Sequence, residues 1–111
     1  MLELRVESAL LVTHNNNVAT YFRLFFGEGM PIVRRPSLLK AMLYLRQHGD
    51  ADTIYIDYAD FHAEVLKRAR NVLRSHHPTL SVVFVARTMH VHKDILTIGD
   101  LFYTIPERIT A

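Results

Sequence analysis

The sequence predicts an α/β domain in which a parallel five-stranded sheet is covered by helices on both faces. Two observations predict this class: short apolar runs alternate with amphipathic segments, and glycine or proline separates most of them. Parallel strands need helical crossovers of this kind, and right-handed crossovers place helices on both faces of the sheet. The 111 residues, 50% hydrophobic and 22% charged, suit one soluble domain spanning residues 1–111.

The strands are predicted where apolar residues run without helical periodicity. Continuous apolar sequence is typical of strands buried on both faces, and residues 81–85 form the most apolar run. Pro31 fits a strand start, because its nitrogen cannot donate to a ladder. The predicted strands cover residues 9–13, 31–34, 53–56, 81–85 and 101–105.

The helices are predicted from apolar residues at helical spacing between those strands. Asparagines at 15–17 cap the first helix, which ends at Gly27, and Ser37 caps the second, which ends at Gly49. The third helix covers residues 62–76, and a weaker fourth covers residues 90–98. The resulting order is βαβαβαβαβ.

Composition excludes several classes of protein. The chain has no cysteine, so it has no disulfide framework or thiolate metal site, and it suits a reducing cytoplasm. Its apolar runs are far shorter than the roughly 20 residues that cross a bilayer. The formal charge of +2 is too balanced to imply nucleic acid by itself. Of the seven histidines, only His90 and His92 are close enough to chelate, and with no evident third ligand we predict no metal.

Candidate functional residues follow the strands, because ligands of doubly wound sheets bind at the carboxyl ends of the strands. They are His14 and Asn15 after the first strand, Asp57 after the third, Ala86 and Arg87 after the fourth and Ile105 at the end of the fifth. No glycine-rich phosphate loop follows the first strand, and no nucleophile with a base and an orienting group is evident. We therefore predict neither an enzyme nor a cofactor.

These strand ends and this element order resemble the receiver domain of two-component response regulators. That fold is flavodoxin-like, or CheY-like, with strand order 2-1-3-4-5. The likeness runs from Ala9 to Pro106. Residues 53–60 match the segment that carries the family's phosphoacceptor aspartate, here Asp57, and Ile105 with Pro106 matches the family's Lys-Pro dipeptide.

The resemblance implies a degenerate phosphorylation pocket. The family's acidic pair, which helps to hold Mg²⁺, is matched by His14 and Asn15, an imidazole and a neutral amide. Its strand 4 hydroxyl is matched by Ala86, and its strand 5 lysine by Ile105. Phosphoryl transfer to an aspartate depends on positioning and charge neutralisation, so Asp57 would lack its usual support. We therefore predict a pseudo-receiver.

The resemblance also implies an interface at the fifth strand. The family's switch aromatic is matched by Phe102, or by Tyr103 if the register slips by one. Receivers end with a fifth helix, which this chain, stopping at Ala111, is expected to lack or to hold only in part. Its loss would expose an apolar interface at Leu101, Phe102, Tyr103 and Ile105. Either the chain is the amino-terminal part of a longer regulator with an effector domain, or it forms a homodimer.

The leading prediction is a phosphorylation-independent pseudo-receiver that serves as a regulatory protein-interaction or dimerisation module in signal transduction or transcription control. The first alternative is a receiver phosphorylated at Asp57, although this aspartate could also simply cap the loop after its strand. The second is a nucleic-acid-binding module that uses Arg68, Arg70 and Arg74 of the basic third helix. A helix that buries an apolar stripe exposes its charged residues on the opposite side. This favours the interpretation of the basic residues of the third helix as a solvated face.

Overall fold

The fold comes from a computed structural model that describes residues 8–26, 29, 31–48, 51–87 and 101–105. The helix predicted at residues 90–98, the histidine pair within it and the expected loss of a fifth helix lie outside these residues. Among the described residues, no helix is both long enough and apolar enough to span a bilayer.

Five parallel strands form one sheet, in the order β2-β1-β3-β4-β5. The strands are β1 (Ala9–Val12), β2 (Ile32–Arg35), β3 (Thr53–Asp57), β4 (Ser81–Arg87) and β5 (Leu101–Ile105). The helices are α1 (Asn16–Phe26), α2 (Leu38–His48) and α3 (Ala63–His76), and a short 3-10 turn, Tyr58–Asp60, follows β3. The predicted doubly wound class and strand order are confirmed.

The boundaries of four strands differ from the predicted ones by one or two residues, whereas β5 has its predicted boundaries. Pro31 lies just before β2 and contributes only its carbonyl, which accepts a hydrogen bond from the Ala9 N–H at 2.9 Å. The strand β4 continues two residues further than predicted, because its end still pairs with β5 and Arg87 lies opposite Ile105. Because all the strand pairs are parallel, the carboxyl ends of the five strands lie at one edge of the sheet.

Two separate hydrophobic cores cover the two faces of the sheet. The larger core packs α2 and α3 against the sheet and contains Leu10, Val12, Ala41, Leu45, Ile54, Ile56, Leu66, Leu73, Leu80, Val82 and Phe84. The smaller core packs α1 against the other face and contains Leu11, Val18, Ala19, Phe22, Val85 and Ile105. Adjacent residues of β1 point into different cores because successive side chains of a strand point to opposite faces.

Aromatic rings complete the smaller core. Phe22 of α1 is fully buried, and its ring lies 5.3 Å from that of Phe26, 5.0 Å from that of Tyr55 and 5.7 Å from that of Tyr103, between centroids. The Tyr103 ring also meets the Phe26 ring edge-on at 5.4 Å. These contacts hold α1 against β3 and β5.

The environment of Tyr103 predicts an unusual alkaline titration. Burial, followed by a hydrogen bond to Tyr21, raises the pKa of the Tyr103 phenol from 10.0 to about 12. The folded chain therefore keeps a proton that the unfolded chain releases above pH 10, so the free energy of unfolding should fall as the pH rises from about 10 to about 12. Ultraviolet titration of phenolate should show one phase near pH 12 that disappears in Tyr103→Phe and persists in the control Tyr44→Phe. Loss of that phase in the control would contradict the assignment.

Candidate functional site at the carboxyl ends of the strands

Asp57 lies at the centre of this edge and is buried, with 1% of its surface exposed. Its Oδ2 accepts a hydrogen bond from the Thr13 hydroxyl at 2.7 Å, and its Oδ1 accepts one from the Ala59 N–H at 3.2 Å. The second bond caps the 3-10 turn that follows β3. The capping role that the sequence allowed for Asp57 is therefore confirmed, and both carboxylate oxygens are engaged within the fold.

Thr13 connects the edge of the sheet to Asp57 and is itself fully buried. Its hydroxyl donates to Asp57 and accepts from the Asn15 N–H at 3.0 Å. Its own N–H donates to the Arg35 carbonyl at 3.2 Å, while its carbonyl accepts from the Arg34 Nε at 3.3 Å. Sequence reasoning overlooked Thr13; its only signal there is a hydroxyl residue at the end of an otherwise apolar run.

His14 and Asn15 lie between β1 and α1, and their side chains have different environments. The side chain of His14 is exposed, and that of Asn15 is half-buried at the start of α1. The Asn15 Oδ1 accepts from the Asn17 N–H at 2.8 Å and from the Val18 N–H at 3.4 Å, which makes Asn15 the cap of α1. The amide oxygen that the resemblance matched to a metal ligand is therefore oriented towards the helix.

The other two predicted pocket residues, Ala86 and Ile105, are buried, each with 1% of its surface exposed. Ile105 packs into the smaller core with Leu11, Phe22 and Val85 beneath α1. Its side chain is therefore part of the core and offers no exposed surface for the interface that was expected there. The position matched to a lysine holds an apolar group in apolar surroundings.

No protein-family model and no curated protein match this chain. Several solved structures are similar to it. A CheY-like protein, tadZ, from Pseudomonas aeruginosa is similar over 93% of this chain and 90% of its own, with a TM-score of 0.71 and 17% sequence identity. A putative response regulator from Chloroflexus aurantiacus is similar over 93% and 86%, with a TM-score of 0.69 and 17% identity. The fold is that of a CheY-like receiver domain.

A third solved structure places the receiver fold within a longer chain. NtrX from Brucella abortus, solved in complex with ADP, is similar over 95% of this chain, with a TM-score of 0.72 and 14% identity. The match spans only 24% of the NtrX chain. In that protein the receiver fold is therefore one part of a larger molecule.

The Mg²⁺ ion that the receiver fold implies does not fit the residues found here. Mg²⁺ prefers oxygen ligands, usually including carboxylates, in octahedral geometry. Asp57 provides one carboxylate, already bonded to Thr13 and Ala59, and Asn15 uses its amide oxygen as a helix cap. Within the described ranges, no three His, Asp or Glu side chains gather closely enough to hold a metal ion.

The remaining predicted site residues lie along β5 and α3. Tyr103 is half-buried within the aromatic cluster. Among the predicted β5 residues whose side chains the structure describes, it is the one that keeps accessible surface. The side chains of Leu101 and Phe102 lie outside the described part. On α3, Arg68 and Arg74 are exposed, and the Arg70 guanidinium donates to the Asn71 Oδ1 at 3.2 Å.

Proposed function

We propose that this chain is a phosphorylation-independent receiver-type module that regulates by binding a protein. The observation that carries the proposal is the buried Asp57 carboxylate, which the Thr13 hydroxyl and the Ala59 N–H already engage inside the fold. An aspartate used in this way is a structural acceptor, and a phosphoryl group on either oxygen would disturb a hydrogen bond that the fold uses.

The surroundings of Asp57 support the same conclusion through charge. Transfer of a phosphoryl group to a carboxylate brings negative charges together, so metal ions and cations must neutralise them. Here Ile105 contributes a buried alkyl chain where the receiver family has a lysine, and Asn15 contributes a helix cap. Ala86, which is also buried, has no hydroxyl to bond a phosphoryl oxygen.

The receiver fold supports a role in signal transduction, because such domains act as regulatory modules rather than as enzymes. The occurrence of this fold as about a quarter of NtrX supports a covalently linked effector domain as the partner. A separate protein is the other candidate. A second copy of the chain would fit the same role. We place this activity in the cytoplasm, in keeping with the cysteine-free sequence.

Intact-mass spectrometry tests the proposal. After incubation with Mg²⁺ and acetyl phosphate, the wild-type chain should show no phosphoryl adduct, while a conventional receiver in the same tube should show one. Two matched variants, Asp57→Asn and Asp60→Asn, distinguish the phosphoacceptor position from a neighbouring aspartate. An adduct that forms on the wild type and on Asp60→Asn, and is lost in Asp57→Asn, would overturn the proposal in favour of a phosphorylated receiver.

A further inference from the structure

A cavity of about 580 Å³ lies between the carboxyl-terminal halves of α2 and α3. It is lined by Met42, Leu45, Arg46, Val72, Leu73, His76 and His77. The chain passes from this end of α3 directly into β4, and the Leu80 N–H bonds to the His77 carbonyl at 3.0 Å. The cavity therefore lies at the amino ends of the strands, on the opposite edge of the sheet from Asp57.

The floor and one wall of the cavity are apolar. Leu45 and Leu73 belong to the larger core and are almost fully buried, with 3% and 1% of their surfaces exposed. Val72 also lines the cavity, and its apolar side chain is 44% exposed. Pockets of 300–1,000 Å³ with mainly apolar walls and a few polar groups are typical binding sites for small molecules.

Every ionisable side chain among the described residues that line the cavity is basic. Arg46 comes from the last turn of α2, and His76 from the last turn of α3, followed by His77. The helix α2 contains no Asp or Glu, and the one acidic residue of α3, Glu64, lies in its first turn, paired with Lys67 at 3.6 Å. Basic residues also suit the carboxyl ends of helices, but that role alone requires no cavity between them.

From this combination we infer a binding site for an amphipathic organic anion with an apolar tail and a carboxylate head. The tail would lie along Met42, Leu45, Val72 and Leu73. The guanidinium of Arg46 presents a planar pair of donors that matches a carboxylate, and the two imidazoles provide further donors on the same rim. The inference goes beyond the proposed function and does not depend on the state of Asp57.

Calorimetric titration with decanoate, below its micelle concentration, tests the site. We expect saturable binding with one site per chain. Decyltrimethylammonium, which has a tail of the same length and the opposite charge, should bind at least about tenfold more weakly. Equal affinity for the two amphiphiles, or no binding of decanoate, would overturn the inference.

Charge reversal on the rim gives the matched comparison. Arg46→Glu should weaken decanoate binding by about tenfold or more, because it removes the attractive charge and adds a repulsive one. The control Arg23→Glu makes the same change in the last turn of α1, on the other face of the sheet, and should leave the affinity unchanged. Equal losses in both variants would overturn the inference, since the effect would then follow net charge rather than the site.

A filled cavity provides a second, independent comparison. Val72→Trp should abolish binding by occupying the cavity while leaving Arg46 in place. The control Val65→Trp changes a similarly exposed valine, 42% against 44%, on the same helix but outside the cavity lining, and should bind decanoate as the wild type does. Circular dichroism of each variant confirms folding, and undiminished binding by folded Val72→Trp would contradict the site.

Discussion

Replacing Phe22 by alanine is expected to lower the free energy of unfolding by about 3–5 kcal/mol, the usual cost of removing a buried aromatic side chain. Phe22 is fully buried and makes ring contacts with Phe26, Tyr55 and Tyr103. It therefore joins α1 to two strands at once. Because small domains are stable by only about 5–15 kcal/mol, this one change should leave the folded state marginal.

Urea denaturation followed by circular dichroism measures the effect. The matched control is Phe25→Ala, three residues further along the same helix. The Phe25 side chain is 67% exposed. The control should change the free energy of unfolding by less than about 1 kcal/mol, since little of this side chain's surface leaves water on folding. Similar losses in the two variants would show that α1 does not pack on the sheet through Phe22.

Replacing Thr13 by valine is expected to lower the free energy of unfolding by about 2–3 kcal/mol, because it removes a hydroxyl that makes two buried or half-buried hydrogen bonds. One bond goes to the Asp57 Oδ2 and the other comes from the Asn15 N–H. Valine matches threonine in shape, so the loss reports the hydrogen bonds rather than a cavity. The Asp57 carboxylate would remain buried with one donor fewer.

Thermal and urea denaturation of Thr13→Val and of the control Thr20→Val provide the measurement. The Thr20 hydroxyl donates to the Asn16 carbonyl on the exposed side of α1, so the control should cost less than about 1 kcal/mol. A double-mutant cycle with Asp57→Ala, which removes the acceptor, measures the interaction energy between Thr13 and Asp57. An interaction energy near zero would show that Thr13 does not stabilise the carboxylate.

The fold could be read largely from the sequence because its signals are local. Continuous apolar residues in β4, and the proline and serine before α2, each specify an element within a few residues of themselves. The caps are equally local, and Ser37 accepts from the Lys40 N–H at 3.2 Å as its sequence position suggests. Strand ends were less exact, because β4 extends only as far as β5 offers a partner.

The candidate site could be predicted only in part because its contacts join distant residues. The position of Asp57 at a strand end was predictable, but its bond to Thr13 spans 44 positions of sequence. Similarly, whether Ile105 is exposed depends on how α1 lies over β5, and no pattern near Ile105 contains that information. Family matching directed attention to His14, whereas the fold places the buried hydroxyl of Thr13 beside the carboxylate.

The hydrogen bond between Thr13 and Asp57 bears on how long a regulatory signal from this domain would last. A conventional receiver stores its signal in a covalent acyl phosphate, and hydrolysis of that bond sets how long the signal lasts. On the proposed function, this domain, whose central carboxylate accepts a hydrogen bond from a hydroxyl at 2.7 Å, would store no signal in this way. On the proposed function, the duration of its output would equal the residence time of its partner, and its amplitude would follow the abundance of the two molecules.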